Sequence, residues 1–111
     1  MEFAERAARN EEIFRGVNER IEQGAQRHQL TTAIPFHCEC GQASCFEYVE
    51  LAPAHYDRVA AERYRFVVIP GHELDEIERV VERHEGFFVV EKTGEAREQI
   101  DRDHPQTQHR S

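Results

Sequence analysis

Long apolar runs are missing from this 111-residue chain. No stretch approaches the ~20 apolar residues that a membrane-spanning helix needs. Met1 to Arg9 is charged where a secretory signal peptide would carry its apolar segment, so a cytoplasmic location is the expectation. Lysine occurs once, as Lys92, and arginine supplies the other fixed positive charges; 22 acidic residues against 14 basic ones leave a net charge of −8. Such a surface repels phosphate backbones and anionic lipid, which argues against nucleic acid and membranes as partners. Signatures of catalysis are also missing. There is no His-Glu-x-x-His, no pairing of His-x-Glu with Pro-Cys-x-x-Cys, no Ser-His-Asp arrangement, no glycine-rich phosphate loop and no internal repeat. Glu73, beside His72, has the chemistry of a general base but reads as exposed charge, and no catalytic residue is assigned.

Cysteine is scarce too, yet all three fall within eight positions, in Phe36-His37-Cys38-Glu39-Cys40-Gly41-Gln42-Ala43-Ser44-Cys45. Clustered thiolates in a reducing compartment read as metal-binding or redox-active before they read as a disulfide framework. Residues two apart in an extended chain point the same way, so Cys38 and Cys40 can face one ion while His37 and Glu39 face away. Gly41 then allows a tight knuckle in which backbone N–H groups approach sulfur. Three thiolates fill three corners of a tetrahedron, and structural zinc sites close with a fourth protein ligand. The candidates are His72, His55 and His84, of which His72, just after the Pro70-Gly71 turn, is favoured; His55 reads more simply as an exposed or partly packed histidine, His84 as a solvated turn residue, and His104 and His109 as solvated tail residues. The expected metal set is therefore Cys38, Cys40, Cys45 and His72, holding zinc. The competing readings are three small buried hydrophobes and a regulatory Cys38–Cys45 disulfide. Glu39, Gly41, Gln42 and Ser44 between the cysteines mark a loop and weigh against the first. In a chain this short, a metal usefully supplements a small core.

The expected fold class is α+β: an N-terminal amphipathic helix, a metal knuckle, a short helix and a small, mostly antiparallel sheet with a C-terminal hairpin. The chain divides into an N-terminal helix (1–29), a metal-binding α+β core (30–94) and a flexible tail (95–111) that begins as a frayed helix. Asn10 reads as the helix N-cap, with Glu11 and Glu12 in the first turn and Ile13, Phe14, Val17 and Ile21 as the face to be buried. That face docks on its own domain, on a second copy or on a protein partner. Residues 46–51 and 64–69 read as strands, and Pro53 opens a short helix to about residue 62. The runs Ile77 to Arg83 and Phe87 to Glu91 read as a hairpin in preference to a helix, because Val80, Val81 and Phe87-Phe88-Val89-Val90 are strand formers.

The cysteine segment, the Pro70-Gly71-His72-Glu73 turn, the segment Glu78 to Arg83 and the closing Val89-Val90-Glu91-Lys92 together resemble a family of small, uncharacterised actinobacterial proteins with a Cys-x-Cys-Gly segment. The resemblance covers most of the chain and implies no activity. It groups Cys38, Cys40, Cys45 and His72 as one set. The same inventory is similar to that of the CDGSH iron–sulfur proteins, which implies a 2Fe-2S cluster as the alternative to zinc. Here, however, the third cysteine comes sooner, no Asp-Gly follows it and the histidine is remote in sequence. Two function classes follow. One is a zinc-stabilised binding or regulatory module. The other is metal-dependent chemistry, by electron transfer or redox sensing through a cluster, through a zinc–thiolate redox switch, or at an open zinc position.

Overall fold

A computed structural model of the chain describes residues 3–42 and 44–103. The elements run α1 (Phe3–Arg27), β1 (Ile34–His37), β2 (Tyr48–Leu51), α2 (Pro53–Ala60), β3 (Arg65–Val68), β4 (Glu78–His84), β5 (Phe87–Lys92) and α3 (Gly94–Asp103). This is the α+β class that the hydrophobic patterning predicts. His104 and His109, read as solvated tail residues, lie outside the described residues.

Helix α1 starts well before Asn10. The run from Phe3 to Glu12 is rich in Ala, Glu and Arg, all strong helix formers, and nothing in it stops the helix. Asn10 is therefore an interior residue and not an N-cap, and its side-chain amide donates to the Gly41 carbonyl at 2.9 Å. The helix ends in a Schellman motif. Gln29 takes the left-handed conformation (φ 57°), its N–H donates to Gln26 O, and Leu30 N–H donates to Ala25 O.

The buried face of α1 differs from the expected one. Among the residues of α1 whose burial is described, Glu11, Arg15, Asn18, Glu22 and Ala25 are buried, at alternating spacings of four and three. The apolar stripe flanks this line: Ile13 and Val17 are exposed, Phe14 is half-buried and Ile21 packs at the core's edge. The helix turns a polar face inward because polar partners wait there. Lys92, the chain's only lysine, is 1% exposed and bonds both Glu11 and Glu78, while the Arg15 guanidinium lies 4.0 Å from the centroid of the Phe66 ring.

Two antiparallel sheets carry the rest. In the first, β1 pairs with β2 from Ile34↔Leu51 to His37↔Tyr48, so the cysteine loop is the connection of a hairpin. In the second, the order is β3-β5-β4; β4 and β5 form the expected hairpin around Glu85-Gly86, with Gly86 at φ 93° as a tight turn requires. Both faces of this second sheet are covered, which explains the near-continuous apolar pattern of β3. On one face Val67, Phe87 and Val89 join Phe36, Val49, Leu51, Tyr56 and Val59 from the first sheet and α2. On the other, Phe66, Val68 and Val90 meet the three cysteines and Ile100. Ile100 belongs to α3, which also buries Ala96 and Gln99. The tail expected from residue 95 thus begins with a packed helix to Asp103, because Ile100 joins the second cluster and Ala96 and Gln99 are buried beside it in the helix. No helix among the described residues is long and apolar enough to cross a membrane.

Candidate metal centre

The first sheet hands the chain to the cysteine loop with its ladder extended by one bond, Cys38 N–H to Glu47 O at 2.9 Å. Beyond it the alternation predicted for Cys38-Glu39-Cys40 is realised. Cys38 and Cys40 are 0% and 1% exposed on the side of the second cluster. The Glu39 side chain points the other way, yet it is fully buried. Its Oε2 accepts from Tyr56 Oη at 2.6 Å and Asn18 Nδ2 at 3.0 Å, and its Oε1 accepts from Val67 N–H at 2.9 Å. Glu39 N–H in turn donates to Val67 O at 2.7 Å. One carboxylate thereby fastens the cysteine loop to α1, α2 and β3. Burial, and then the Glu39 charge, push the Tyr56 hydroxyl well above its ordinary value, so it remains a donor.

The fourth donor arrives from the end of β3. His72 N–H closes a turn onto Ile69 O at 2.9 Å, with Pro70 at its second position and Gly71 at φ 99° in its third, where a side chain would be strained. The turn aims the imidazole into the loop. His72 Nδ1 stands 3.6 Å from Cys38 Sγ and 3.7 Å from Cys45 Sγ. Donor atoms of Cys38, Cys40, Cys45 and His72 all lie within 4.8 Å of one another, so the four can hold a metal ion. The three thiols are unbridged.

Backbone donors surround the sulfurs. Ile69 N–H points at Cys38 Sγ at 3.2 Å, and the N–H groups of Gln42 and Glu47 serve Cys40 and Cys45. Such bonds favour thiolate over thiol. The Cys40 thiol is pushed down to about 5, first by its hydrogen bond with Cys38 and then by Gln42 N–H and His72. Cys38, on the other side of that hydrogen bond, is pushed up and holds its proton, and burial raises Cys45. A bound cation would displace the protons that the thiols still carry. An open cavity of about 590 Å³, lined by Cys45, Phe46, Tyr48 and His72 among others, gives solvent access to this end of the cluster.

The other described histidines stand apart from the four donors. His37 faces away, as the alternation predicts, with Nδ1 2.6 Å from the Cys38 carbonyl and its ring stacked on Phe14 at 4.1 Å. His55 and His84 group with Glu82 instead. The Glu73 carboxylate accepts from Gly71 N–H at 2.8 Å, which makes it part of the turn. Sequence reasoning missed Glu39, Asn10 and Asn18 as supports of the loop. The available clue was an acidic residue inside Cys-x-Cys, on the face opposite the sulfurs, in a strand-like segment whose other face must also pack.

No protein-family model, no curated protein and no solved structure matches the chain.

Proposed function

We propose that this is a small cytoplasmic, zinc-stabilised protein that acts as a binding or regulatory module. The observation that carries the reading is the convergence of three thiols and one imidazole, whose donor atoms all lie within 4.8 Å of one another. With zinc–sulfur and zinc–nitrogen bonds of ~2.3 and ~2.0–2.1 Å, the nitrogen-to-sulfur edge of a zinc tetrahedron is about 3.6 Å; His72 Nδ1 lies 3.6 and 3.7 Å from two sulfurs. The same spacing supports one ion over a 2Fe-2S cluster, because a two-iron cluster interposes its own iron and sulfide atoms and spreads the protein ligands. Four protein donors leave no open position for substrate, and a set so placed contributes its binding free energy to folding. Cys38, Cys40, Cys45 and His72 are the ligands in this reading.

The binding role rests on apolar surface beside the first sheet. Ile21, Leu30, Ile34, Pro35 and Tyr48 line a groove of about 500 Å³ between the end of α1 and β1/β2, and Leu30 and Tyr48 are 47% and 60% exposed. Val17 lies one helical turn before Ile21 on the same stripe. Phe14, Val17 and Ile21 are the partner-facing residues of the sequence pattern. With Phe14 half-buried against His37, the contact shifts toward Val17, Ile21 and the groove. A surface of this kind takes apolar side chains of a protein partner or of a second copy.

The test is the metal content and visible spectrum of untagged protein, with turnover assays on the zinc-loaded form. About one zinc per chain as purified, before any metal is added, no visible absorbance and no turnover of ester, phosphate or nucleoside substrates are expected. Iron with sulfide and a coloured spectrum, or metal-dependent turnover abolished by Glu73→Gln, would overturn the reading.

A further inference from the structure

On the other face of the three-stranded sheet from the cysteines, two histidines and a glutamate from separate elements meet. His55 is the third residue of α2, fixed behind Pro53 at the helix start. Glu82 and His84 are two apart on β4, and therefore project from the same side of the strand. Just before them the register slips, with Val80 opposite Val90 but Glu82 opposite Val89, which leaves Val81 as an extra residue. Bulges of this kind re-aim the side chains that follow. Here the re-aimed carboxylate meets both imidazoles: Glu82 Oε1 lies 2.7 Å from His84 Nε2 and 3.4 Å from His55 Nε2.

The rings are held for this meeting. Phe87, paired with His84 across the hairpin and 5% exposed, stacks on the His84 ring at 4.6 Å and 17°. His55 stands edge-on to both, at 5.3 Å from Phe87 and 4.9 Å from His84. Both Nε2 atoms are thus directed to one carboxylate by packing against a core residue and not only by mutual attraction. One donor atom from each of the three residues lies within 4.8 Å of the others. Side-chain exposures of 22% for His55, 37% for Glu82 and 38% for His84 leave the outer side of the group to water.

We propose that His55, Glu82 and His84 form a second metal site, which takes a divalent zinc-type ion with solvent at its remaining position. Two neutral imidazoles and one carboxylate are a donor set that zinc accepts with a coordination position left open. The half-exposed geometry supplies that opening, in contrast to the buried cysteine cluster. The site requires neither the cysteine set nor a binding role for the protein.

The test uses untagged full-length protein as purified, with zinc and then cobalt added and the bound metal counted after equilibrium dialysis. The wild-type chain is expected to take up one equivalent more than His84→Ala or Glu82→Gln. Those variants should bind that ion at least about tenfold more weakly, since even groups behind a ligand set can cost 10–100-fold. The additional cobalt should show a visible band without thiolate-to-metal charge transfer. In NMR spectra the His55 and His84 imidazole signals should shift with the added equivalent, and His28→Ala should change nothing. Equal metal uptake by wild type, His84→Ala and Glu82→Gln would overturn the site. So would imidazole signals that respond to pH but not to zinc, which would make the cluster an ion pair only.

Discussion

The Tyr56 hydroxyl donates a 2.6 Å hydrogen bond to Oε2 of Glu39, joining the first helix after the β1–β2 hairpin to the middle residue of Cys-x-Cys. Position 39 is where the candidate metal centre is anchored to the rest of the fold. A hydrogen bond to a buried charge contributes about 1.5–3 kcal/mol. Tyr56→Phe should therefore lower the melting temperature by several degrees while the chain still folds. Metal affinity should fall by ~10–100-fold, because the support behind the candidate ligands is weakened. Glu39→Gln should cost more, since an amide has one acceptor oxygen and cannot accept from Asn18 and Tyr56 on one side and from Val67 N–H on the other, as the carboxylate does. Melting curves and competition with a chromogenic chelator measure both effects.

Removing a ligand should have a larger effect than loosening its support. Cys40→Ser, or a strong chelator added to the wild-type chain, is expected to destabilise the domain by several kcal/mol, because metal binding and folding share one free energy. A melt unchanged by chelator would make the centre accessory to stability.

Lys92 places one ammonium between the carboxyl groups of Glu11 and Glu78, all three buried. Burial pushes Glu11 up to about 8 from an ordinary 4.5, with Lys92 opposing and Glu78 and Glu39 adding to the rise. The folded chain then holds this proton more tightly than the unfolded chain. Its contribution to stability is complete below 4.5 and is lost as pH rises through about 8. Zinc-loaded wild type should melt progressively lower between pH 6.5 and 8.5, whereas Glu11→Gln should flatten that slope. Parallel pH–melting profiles for the two proteins would contradict the assignment.

At the end of α1 a glutamine occupies a left-handed position, φ 57° at Gln29. Glycine meets no Cβ penalty there, so Gln29→Gly should raise stability by up to about 1 kcal/mol. Thermal or urea melting detects this.

Val17 is 42% exposed, so Val17→Glu should leave folding within ~0.5 kcal/mol of wild type. If the α1 stripe and the groove serve association, the same change should reduce self-association or partner binding, read by sedimentation or by titration with the partner. Unfolding by Val17→Glu would show that the stripe belongs to the core.

The hairpin was legible because Val80-Val81 and Phe87 to Val90 are strand formers around a glycine-containing loop. The four clustered donors were legible because Cys-x-Cys alternation and the Pro-Gly turn before His72 are local geometry. What escaped was long-range polar pairing. Periodicity analysis treats apolar residues as the buried face, so it chose Phe14, Val17 and Ile21 and passed over Glu11, Arg15 and Asn18, whose partners lie far along the chain at Lys92, Phe66 and Glu39. Asn10 misled for a related reason: a residue that often caps helices was used for a tertiary bond to Gly41. The meeting of His55 with Glu82 and His84 was equally hidden, because it depends on the bulge at Val81 and on how α2 lies against β4.

The burial of Lys92 gives the chain a chemical reporter of its own folding. With the single ε-amine of the sequence 1% exposed, amine-directed reagents and lysine-modifying enzymes find no side-chain target while the domain is closed. Acylation at that residue would count opening events, and once made it would remove the cation from between two buried acidic side chains, so that a chain caught open is less able to close again.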